Sequence, residues 1–334
     1  MKRFHLLVVS ILALGIAVSA QDKLLTIDDI FSSDPKVRVN FNGVPSQFAW
    51  TADGKALRQI VGGKLMRVDA ISGDSRDYVD AKRLAAALET GGIAPAEAAR
   101  VAASPGLQFS PDEKSILISQ QNDLWLYDVG AGTLRRVTSS SDEELEADFS
   151  PDGKFISFVR GNNLFVYDLA KNDEKQLTRD GGEKVYNGYL DWVYEEELYG
   201  RGQKRAYWWS PDSKFIAFLR LDESPVPKFV LPNDIPTDQS VETPNYPQAG
   251  DPNPLVTLGV ADVAKNSLIP NAARIPQIGK KLPAGILRLG DTVHFADLSK
   301  YKPEDLLIAR VAWSPNSQTI VFQAQNREQT FLDV

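Results

Sequence analysis

Three consecutive carboxylates, Glu195, Glu196 and Glu197, lie in the stretch DWVYEEELYG. Trp192 and Tyr194 precede them and could anchor the stretch in an apolar core. Two carboxylates held side by side can accept charge-assisted hydrogen bonds from two sides of an ammonium group. The stretch therefore predicts a binding site for a cationic group. The alternative interpretation is an exposed acidic turn on a solvated helix.

Apart from the three glutamates, the sequence contains no recognisable catalytic or metal-binding motif. The chain contains no cysteine and only two histidines, His5 and His294, and we interpret His294 as a surface or structural residue. It has no Gly-x-Ser-x-Gly nucleophile elbow, no His-Glu-x-x-His pair and no Walker phosphate loop. We therefore expect no catalytic residue, no metal site and no cofactor in this chain.

The charge balance argues against a nucleic-acid partner. The chain has 37 lysines and arginines against 44 aspartates and glutamates, which gives a net charge of -7. Its basic residues form no stripe that could follow a phosphate backbone. We expect a folded protein with a sizeable core that does not bind nucleic acid.

The N-terminus has the pattern of an export signal. Lys2 and Arg3 precede an apolar run from Leu6 to Val18, and the small residues Val-Ser-Ala complete a cleavage motif. This predicts a secretory signal peptide over residues 1–20, with an uncleaved N-terminal anchor as the alternative. No later segment is long and apolar enough to cross a membrane. Export combined with the absence of cysteine suggests secretion into a bacterial periplasm.

A six-residue turn motif recurs five times along the chain. Its copies are WTADGK, FSPDEK, FSPDGK, WSPDSK and WSPNSQ, which begin at Trp50, Phe109, Phe149, Trp209 and Trp313. Each copy follows one short apolar run and precedes another, and its proline, Asp or Asn, and small residues are those of a tight hairpin. The motif predicts a repeated strand-turn-strand unit.

Two copies of the motif begin a longer repeat, whose spacing from Ser110 to Ser150 is 40 residues. Each repeat contains four strand-like segments, and the second of the long strands ends in Tyr-Asp, at Tyr127-Asp128 and at Tyr167-Asp168. Four strands in about 40 residues is the size of one propeller blade. We predict an all-β fold, a partial β-propeller of four-stranded blades; a β-sandwich with similar turns is the alternative.

Insertions interrupt this repeat. Asp80 to Ser104 is alanine-rich and predicts a helical insertion on the surface of the first blade, and Glu183 to Arg205 carries the acidic stretch. Ser224 to Pro254 contains eight prolines, too many for strand pairing, and predicts an extended surface loop. A fourth stretch, Asn271 to Lys302, follows no recognisable pattern.

The acidic stretch and the segments after it resemble a known family. DWVYEEELYG is followed by AYWWSPDSKFIAFLRLDESPVPKF and later by NYPQAGDPNPLVTLGVAD. Together they resemble the N-terminal β-propeller of dipeptidyl peptidase IV and its bacterial relatives in the prolyl oligopeptidase clan. VAWSPNSQTIVFQAQNREQTFLDV is similar to the next propeller segment of that family. The resemblance covers about Leu107 to Val334 and extends to earlier residues only through the repeat.

The resemblance implies a secreted serine exopeptidase that releases N-terminal Xaa-Pro or Xaa-Ala dipeptides. In that family the propeller controls substrate access, and a glutamate pair on a short helix binds the free α-amino group of the peptide. Carried over by the motif, this pair is Glu196 and Glu197. The resemblance gives supporting roles to Glu195, Tyr194, Trp192 and Asp191.

The sequence also departs from the family. The α/β-hydrolase domain with the family's Ser, Asp and His is absent from this chain, and the loop in ISQQNDLWLYD lacks the arginine that anchors the substrate backbone. Five turn motifs are fewer than the blades of that clan. We therefore expect residues 21–334 to form an incomplete propeller of four to five blades, truncated and inactive alone.

Two further expectations concern partners. The resemblance implies peptide substrates with free N-termini and, for the full-length form, a possible homodimer. The alternative function is a stand-alone, non-catalytic propeller that binds peptide N-termini or an envelope protein partner.

Overall fold

The computed structural model describes residues 26–34, 48–61, 64–104, 106–233, 240–264, 287–289 and 293–334. The chain forms two compact units, residues 1–46 and 47–334. The described part of the first unit is helix α1 (Ile27–Phe31), whose Thr26 and Asp29 form a capping box. The predicted signal peptide lies outside the described residues. No helix in the ranges given above is long and apolar enough to cross a membrane.

Three four-stranded antiparallel sheets follow one another in the second unit, and within each sheet consecutive strands pair. The first contains β1 (Phe48–Trp50), β2 (Ala56–Val61), β3 (Lys64–Asp69) and β4 (Ser75–Asp77). The second contains β5 (Gln108–Phe109), β6 (Ser115–Gln120), β7 (Asp123–Asp128) and β8 (Thr133–Arg136). The third contains β9 (Leu145–Phe149), β10 (Phe155–Arg160), β11 (Asn163–Asp168) and β12 (Asp173–Gln176).

The later strands are less regular. They are β13 (Val185–Asn187), β14 (Tyr207–Trp209), β15 (Phe215–Asp222), β16 (Leu231–Pro232), β17 (Val241–Glu242), β18 (Leu255–Asp262), β19 (Leu287–Leu289), β20 (Val293–Phe295), β21 (Leu306–Trp313), β22 (Ile320–Asn326) and β23 (Leu332–Asp333). In the described residues, β13, β14, β15, β18, β19 and β20 form a fourth sheet, and β21 to β23 form a fifth. Strands β16 and β17 pair with each other, and among the described residues neither joins another strand.

The turn motif connects the first two strands of the first, second, third and fifth sheets, and β14 to β15 in the fourth. In the fourth copy, Ser210 Oγ donates to Asp212 Oδ1 (2.7 Å) and accepts from Phe215 N-H (3.0 Å). Asp212 Oδ1 also accepts from Lys214 N-H (3.2 Å). Ser213 has a φ of 62°, and the equivalent residues Gly54, Glu113, Gly153 and Ser317 also have positive φ. The predicted tight hairpins are therefore confirmed, together with the side-chain hydrogen bonds that form them.

Buried apolar clusters join each of these sheets to the next from the second sheet onward. Phe158 of the third sheet packs with Leu117 of the second, and Val159 of the third packs with Ile216 of the fourth. Leu219 of the fourth sheet packs with Ile308 of the fifth. Sheets stacked in sequence order form the predicted partial β-propeller.

The alanine-rich insertion forms helices α2 (Ala81–Thr90) and α3 (Pro95–Ala102). The expected helical insertion is therefore present, and it packs against the second blade as well as the first, since Leu65 of β3 lies against the same apolar cluster. Leu84 and Leu88 are fully buried and belong to the same cluster as Ile116 of the second sheet. Leu84 and Leu88 are four residues apart, so they lie on one helix face, and that face covers the second blade.

The proline-rich insertion differs from the expectation of a strandless loop. Strands β16 and β17 form a two-residue ladder in which Pro232 is opposite Val241. Such a pair tolerates proline because both strands are edges. After this ladder the chain returns to the acidic stretch, where Tyr246 packs on Trp192.

Candidate functional site

The acidic stretch folds as a helix that begins at Trp192 and continues as a π-helical turn, Tyr194–Tyr199. Asp191 precedes it, and the buried Asp191 carboxylate accepts hydrogen bonds from Val193 N-H (3.1 Å) and Tyr194 N-H (3.2 Å). A side chain that satisfies the first amides of a helix stabilises its start. The short acidic helix that the family resemblance implies is therefore present, and Asp191 caps it.

Burial raises the pKa of Asp191 to about 7, although the two capping amides oppose this shift. The nearby Glu223 carboxylate adds to the increase in the pKa of Asp191. Glu223 itself accepts hydrogen bonds from Asn245 Nδ2 (2.6 Å) and the Tyr186 hydroxyl (3.1 Å), and burial raises its pKa too. The cap of the acidic helix thus changes its charge near neutral pH.

Aromatic residues fix the helix against the fourth and fifth sheets. The side chain of Tyr194 is fully buried, and its hydroxyl accepts a hydrogen bond from Ile308 N-H (3.3 Å). The ring of Tyr199 lies between those of Tyr194 and Trp208, with centres 6.3 and 6.2 Å away. These contacts on two turns of the helix leave little freedom for its backbone.

A bulge in β21 provides a second anchor. The pairing of β21 with β22 shifts register between Ile308 and Arg310, which re-aims the side chain of Arg310. Arg310 Nη1 donates to Leu198 O (3.1 Å), and its guanidinium lies 5.5 Å from the centre of the Tyr199 ring. Arg310 therefore binds the carbonyl end of the helix, where a positive charge is favourable.

The three glutamates have different surroundings. Glu195 accepts a hydrogen bond from Gly202 N-H (3.0 Å) and lies 3.6 Å from Lys204 Nζ. Glu196 pairs with Arg201, whose Nε donates to both of its oxygens (3.1 and 2.8 Å). The exposed carboxylate of Glu197 has neither a hydrogen bond nor an ion pair with any other residue that the structure describes. Only one of the three carboxylates is thus free.

Two cavities flank the helix. One, of about 400 Å³, lies beside Glu195 and the Asp191 cap. The other, of about 310 Å³, lies beside Glu197 and is also lined by Arg327 of the fifth sheet. Trp192 lines both cavities, and its ring centre is 4.3 Å from that of Tyr246. Glu195 and Glu197 therefore open into different spaces.

Comparison with known protein families identifies the family to which most of this chain corresponds. The family described as Dipeptidyl peptidase IV (DPP IV) N-terminal region matches residues 106–334. The chain belongs to this family. The matched range begins after the helical insertion and includes the acidic helix, both cavities and the last four sheets, so the family resemblance of the sequence is confirmed.

The relatives of this dipeptidyl peptidase IV N-terminal region are larger proteins. "Probable dipeptidyl-aminopeptidase B" of Talaromyces marneffei is 34% identical over 165 residues, which are 46% of this chain and 15% of that protein. The protein of the same name from Talaromyces stipitatus is 36% identical over 165 residues, with the same coverage. The chain thus matches about 15% of the length of these relatives.

A solved structure supports the fold of this N-terminal region. The crystal structure of Porphyromonas gingivalis dipeptidyl peptidase 4 superposes with a TM-score of 0.64 and 24% sequence identity. The match covers 86% of this chain and 37% of that chain. At this identity the likeness supports the architecture alone.

Several residues of the site have no signal in the sequence. Arg201 is five residues after Glu196, which is not a spacing that brings side chains together on an α-helix. Tyr246 belongs to the proline-rich insertion and Arg327 to a turn of the fifth sheet, so only the fold brings them to Trp192 and Glu197.

The second histidine does not belong to this site. His294 lies on β20 opposite Val260, in the fourth sheet, and its ring is half-buried. In the part of the chain that the structure describes, no group of three or more His, Cys, Asp or Glu side chains is arranged to hold a metal ion.

Proposed function

We propose that this dipeptidyl peptidase IV N-terminal region binds the free N-terminus of a peptide, with the α-ammonium group held by Glu196 and Glu197. The supporting observation is the free Glu197 carboxylate on a helix fixed at both ends by Asp191 and Arg310. The adjacent Glu196 has an exposed arginine as its partner, which a second cation can replace.

The chemistry of an amino terminus fits two such carboxylates. An α-ammonium group has three N-H donors and a positive charge, and each charge-assisted hydrogen bond contributes about 1.5–3 kcal/mol. An acylated N-terminus has lost the charge and most of these donors. The site therefore favours the ends of peptides over internal segments, which is the selectivity that an exopeptidase needs.

In this proposal the region is the substrate-gating propeller of a secreted dipeptidyl peptidase, in a bacterial periplasm, that releases Xaa-Pro or Xaa-Ala dipeptides. The names of the relatives support a dipeptidyl peptidase. The sequence has no Gly-x-Ser-x-Gly elbow, so this chain contributes binding and the hydrolytic serine lies elsewhere in the enzyme. A homodimer of the complete enzyme is part of the same proposal.

Binding of a defined peptide tests the proposal. Calorimetry compares Ala-Pro-Ala with N-acetyl-Ala-Pro-Ala on the wild-type chain and on Glu196→Gln and Glu197→Gln. We expect acetylation, and each substitution, to weaken binding by about 10- to 100-fold, the effect of one charge-assisted hydrogen bond. The control is Glu143→Gln, an exposed acid far from the helix in sequence. Equal affinity for both peptides would overturn the proposal.

A further inference from the structure

Two opposite charges line the cavity beside Glu197 without pairing. Glu197 and Arg327 both face this space of about 310 Å³, yet they form no ion pair with each other. Arg327 donates its backbone N-H to Asp305 (3.1 Å), but its guanidinium has no hydrogen bond or ion pair with the described residues. The cavity thus presents a free carboxylate and a free guanidinium.

The other charged side chains around the acidic helix have partners. Glu195 and Glu196 are paired with Lys204 and Arg201, and Arg310 binds a backbone carbonyl. Arg327 is half-buried, where an unpaired charge costs more free energy than it does in open solvent. Glu197 and Arg327 therefore place one unpaired negative charge and one unpaired positive charge in the same cavity.

The rest of the lining suits a small peptide. Gln248, Asn253 and Gln329 add amide groups, and Trp192 and Tyr246 form an aromatic wall. A guanidinium presents parallel N-H donors that match both oxygens of a carboxylate. A ligand that pairs with both charges, Glu197 and Arg327, carries an ammonium group at one end and a carboxylate at the other.

We propose that this cavity binds a free dipeptide, with its α-ammonium group on Glu197 and its terminal carboxylate on Arg327. This inference rests on the proposed function, in which a dipeptide is the product. The volume of about 310 Å³ lies at the lower end of the range of about 300–1,000 Å³ that is typical of small-ligand pockets, which suits a ligand as small as a dipeptide. A peptide that continues beyond its second residue has no carboxylate to offer there, so Arg327 favours free dipeptides over longer peptides.

The test measures the affinity of the 334-residue chain for Ala-Pro, Ala-Pro amide and N-acetyl-Ala-Pro by calorimetry. We expect Ala-Pro to bind about tenfold tighter than the amide, because only the free acid offers a charged partner to the guanidinium. Arg327→Gln should weaken binding of Ala-Pro about tenfold and leave the amide unchanged. The matched control is Arg179→Gln, which removes an exposed arginine that follows β12 of the third sheet.

Equal affinity of the wild-type chain for Ala-Pro and its amide would overturn the inference without any variant, so the test does not depend on the folding of Arg327→Gln. An equal loss for both ligands in Arg327→Gln would also overturn it. In either case the proposed function survives if acetylation or Glu197→Gln still weakens binding by about 10- to 100-fold. If N-acetyl-Ala-Pro binds as well as Ala-Pro, the proposed function itself fails, and the dipeptide inference fails with it.

Discussion

Arg201 donates through Nε to both carboxylate oxygens of Glu196, at 3.1 and 2.8 Å. The arginine side chain is 83% exposed, and it lies between Gly200 and Gly202, whose φ angles of 103° and 85° favour glycine. A cation on so exposed a loop can move away at little cost. In the proposed function, Arg201 therefore occupies Glu196 until the ammonium group of the peptide replaces it.

Removing this internal cation should strengthen the binding of a peptide amine. Exposed ion pairs contribute about 0.2–1 kcal/mol, so Arg201→Gln should bind Ala-Pro-Ala about 1.5- to 5-fold tighter. Lys204→Gln is the matched control, because it removes a nearby positive charge that pairs with Glu195 instead. Equal tightening in both variants would indicate a general electrostatic effect and contradict a specific exchange at Glu196.

The cap of the acidic helix should make stability depend on pH. The pKa of Asp191 is about 7 in the folded protein, against about 3.9 for an ordinary aspartate in an unfolded chain. Between these values the folded state binds more protons, so this stabilisation is complete below about pH 4 and is lost as the pH rises through 7.

Asp191→Asn cannot ionise and should escape this loss. The free energy of unfolding of Asp191→Asn, minus that of the wild type, should rise by about 1–3 kcal/mol between pH 5 and pH 8. Urea denaturation at several pH values gives this difference, because the contributions of titrating groups that do not interact with Asp191 cancel between the two proteins. A difference that does not change with pH would show that Asp191 titrates normally.

Hydroxyl groups link the turns of neighbouring blades. Asp152 N-H donates to Ser213 Oγ, and Asp212 N-H donates to Ser317 Oγ, each at 3.0 Å. Ser213→Ala leaves the Asp152 amide without its partner and should lower the free energy of unfolding by about 1–2 kcal/mol. Ser299→Ala, at an exposed position, should change it by less than about 0.5 kcal/mol. Equal effects of the two would mean that the link between turns is not stabilising.

The helical insertion should be necessary for the stability of the second blade. Leu84→Ala removes a fully buried side chain between α2 and the second sheet and should cost about 2–5 kcal/mol. Lys82→Ala on the exposed face of the same helix is the control. Thermal or urea unfolding measures the loss of free energy of unfolding. A loss below about 1 kcal/mol in Leu84→Ala would indicate that the helices are only loosely attached.

Local chemistry explains which features could be predicted from the sequence. The turns could be predicted because the side chains of Ser210 and Asp212 make their hydrogen bonds within six residues. The start of the acidic helix is equally local, since Asp191 caps amides two and three residues later, although only the family resemblance implied a helix there. In both cases the residues that form the structure are neighbours in the chain.

Long-range contacts explain what could not be predicted. The periodicity of α2 predicts a helix, but only the shape of the second sheet determines that Leu84 packs there. The identity of the free glutamate depends on Arg201 and Gly202, which a π-helical turn brings back to Glu196 and Glu195. Contacts of this kind depend on the fold as a whole.

A crystal structure of the chain with Ala-Pro-Ala bound is the most direct test of the central claim. The account predicts that the α-ammonium nitrogen lies within about 3.2 Å of carboxylate oxygens of both Glu196 and Glu197, with Arg201 displaced. An ammonium group bound instead in the cavity of Asp191 and Glu195, with Glu197 free, would contradict it.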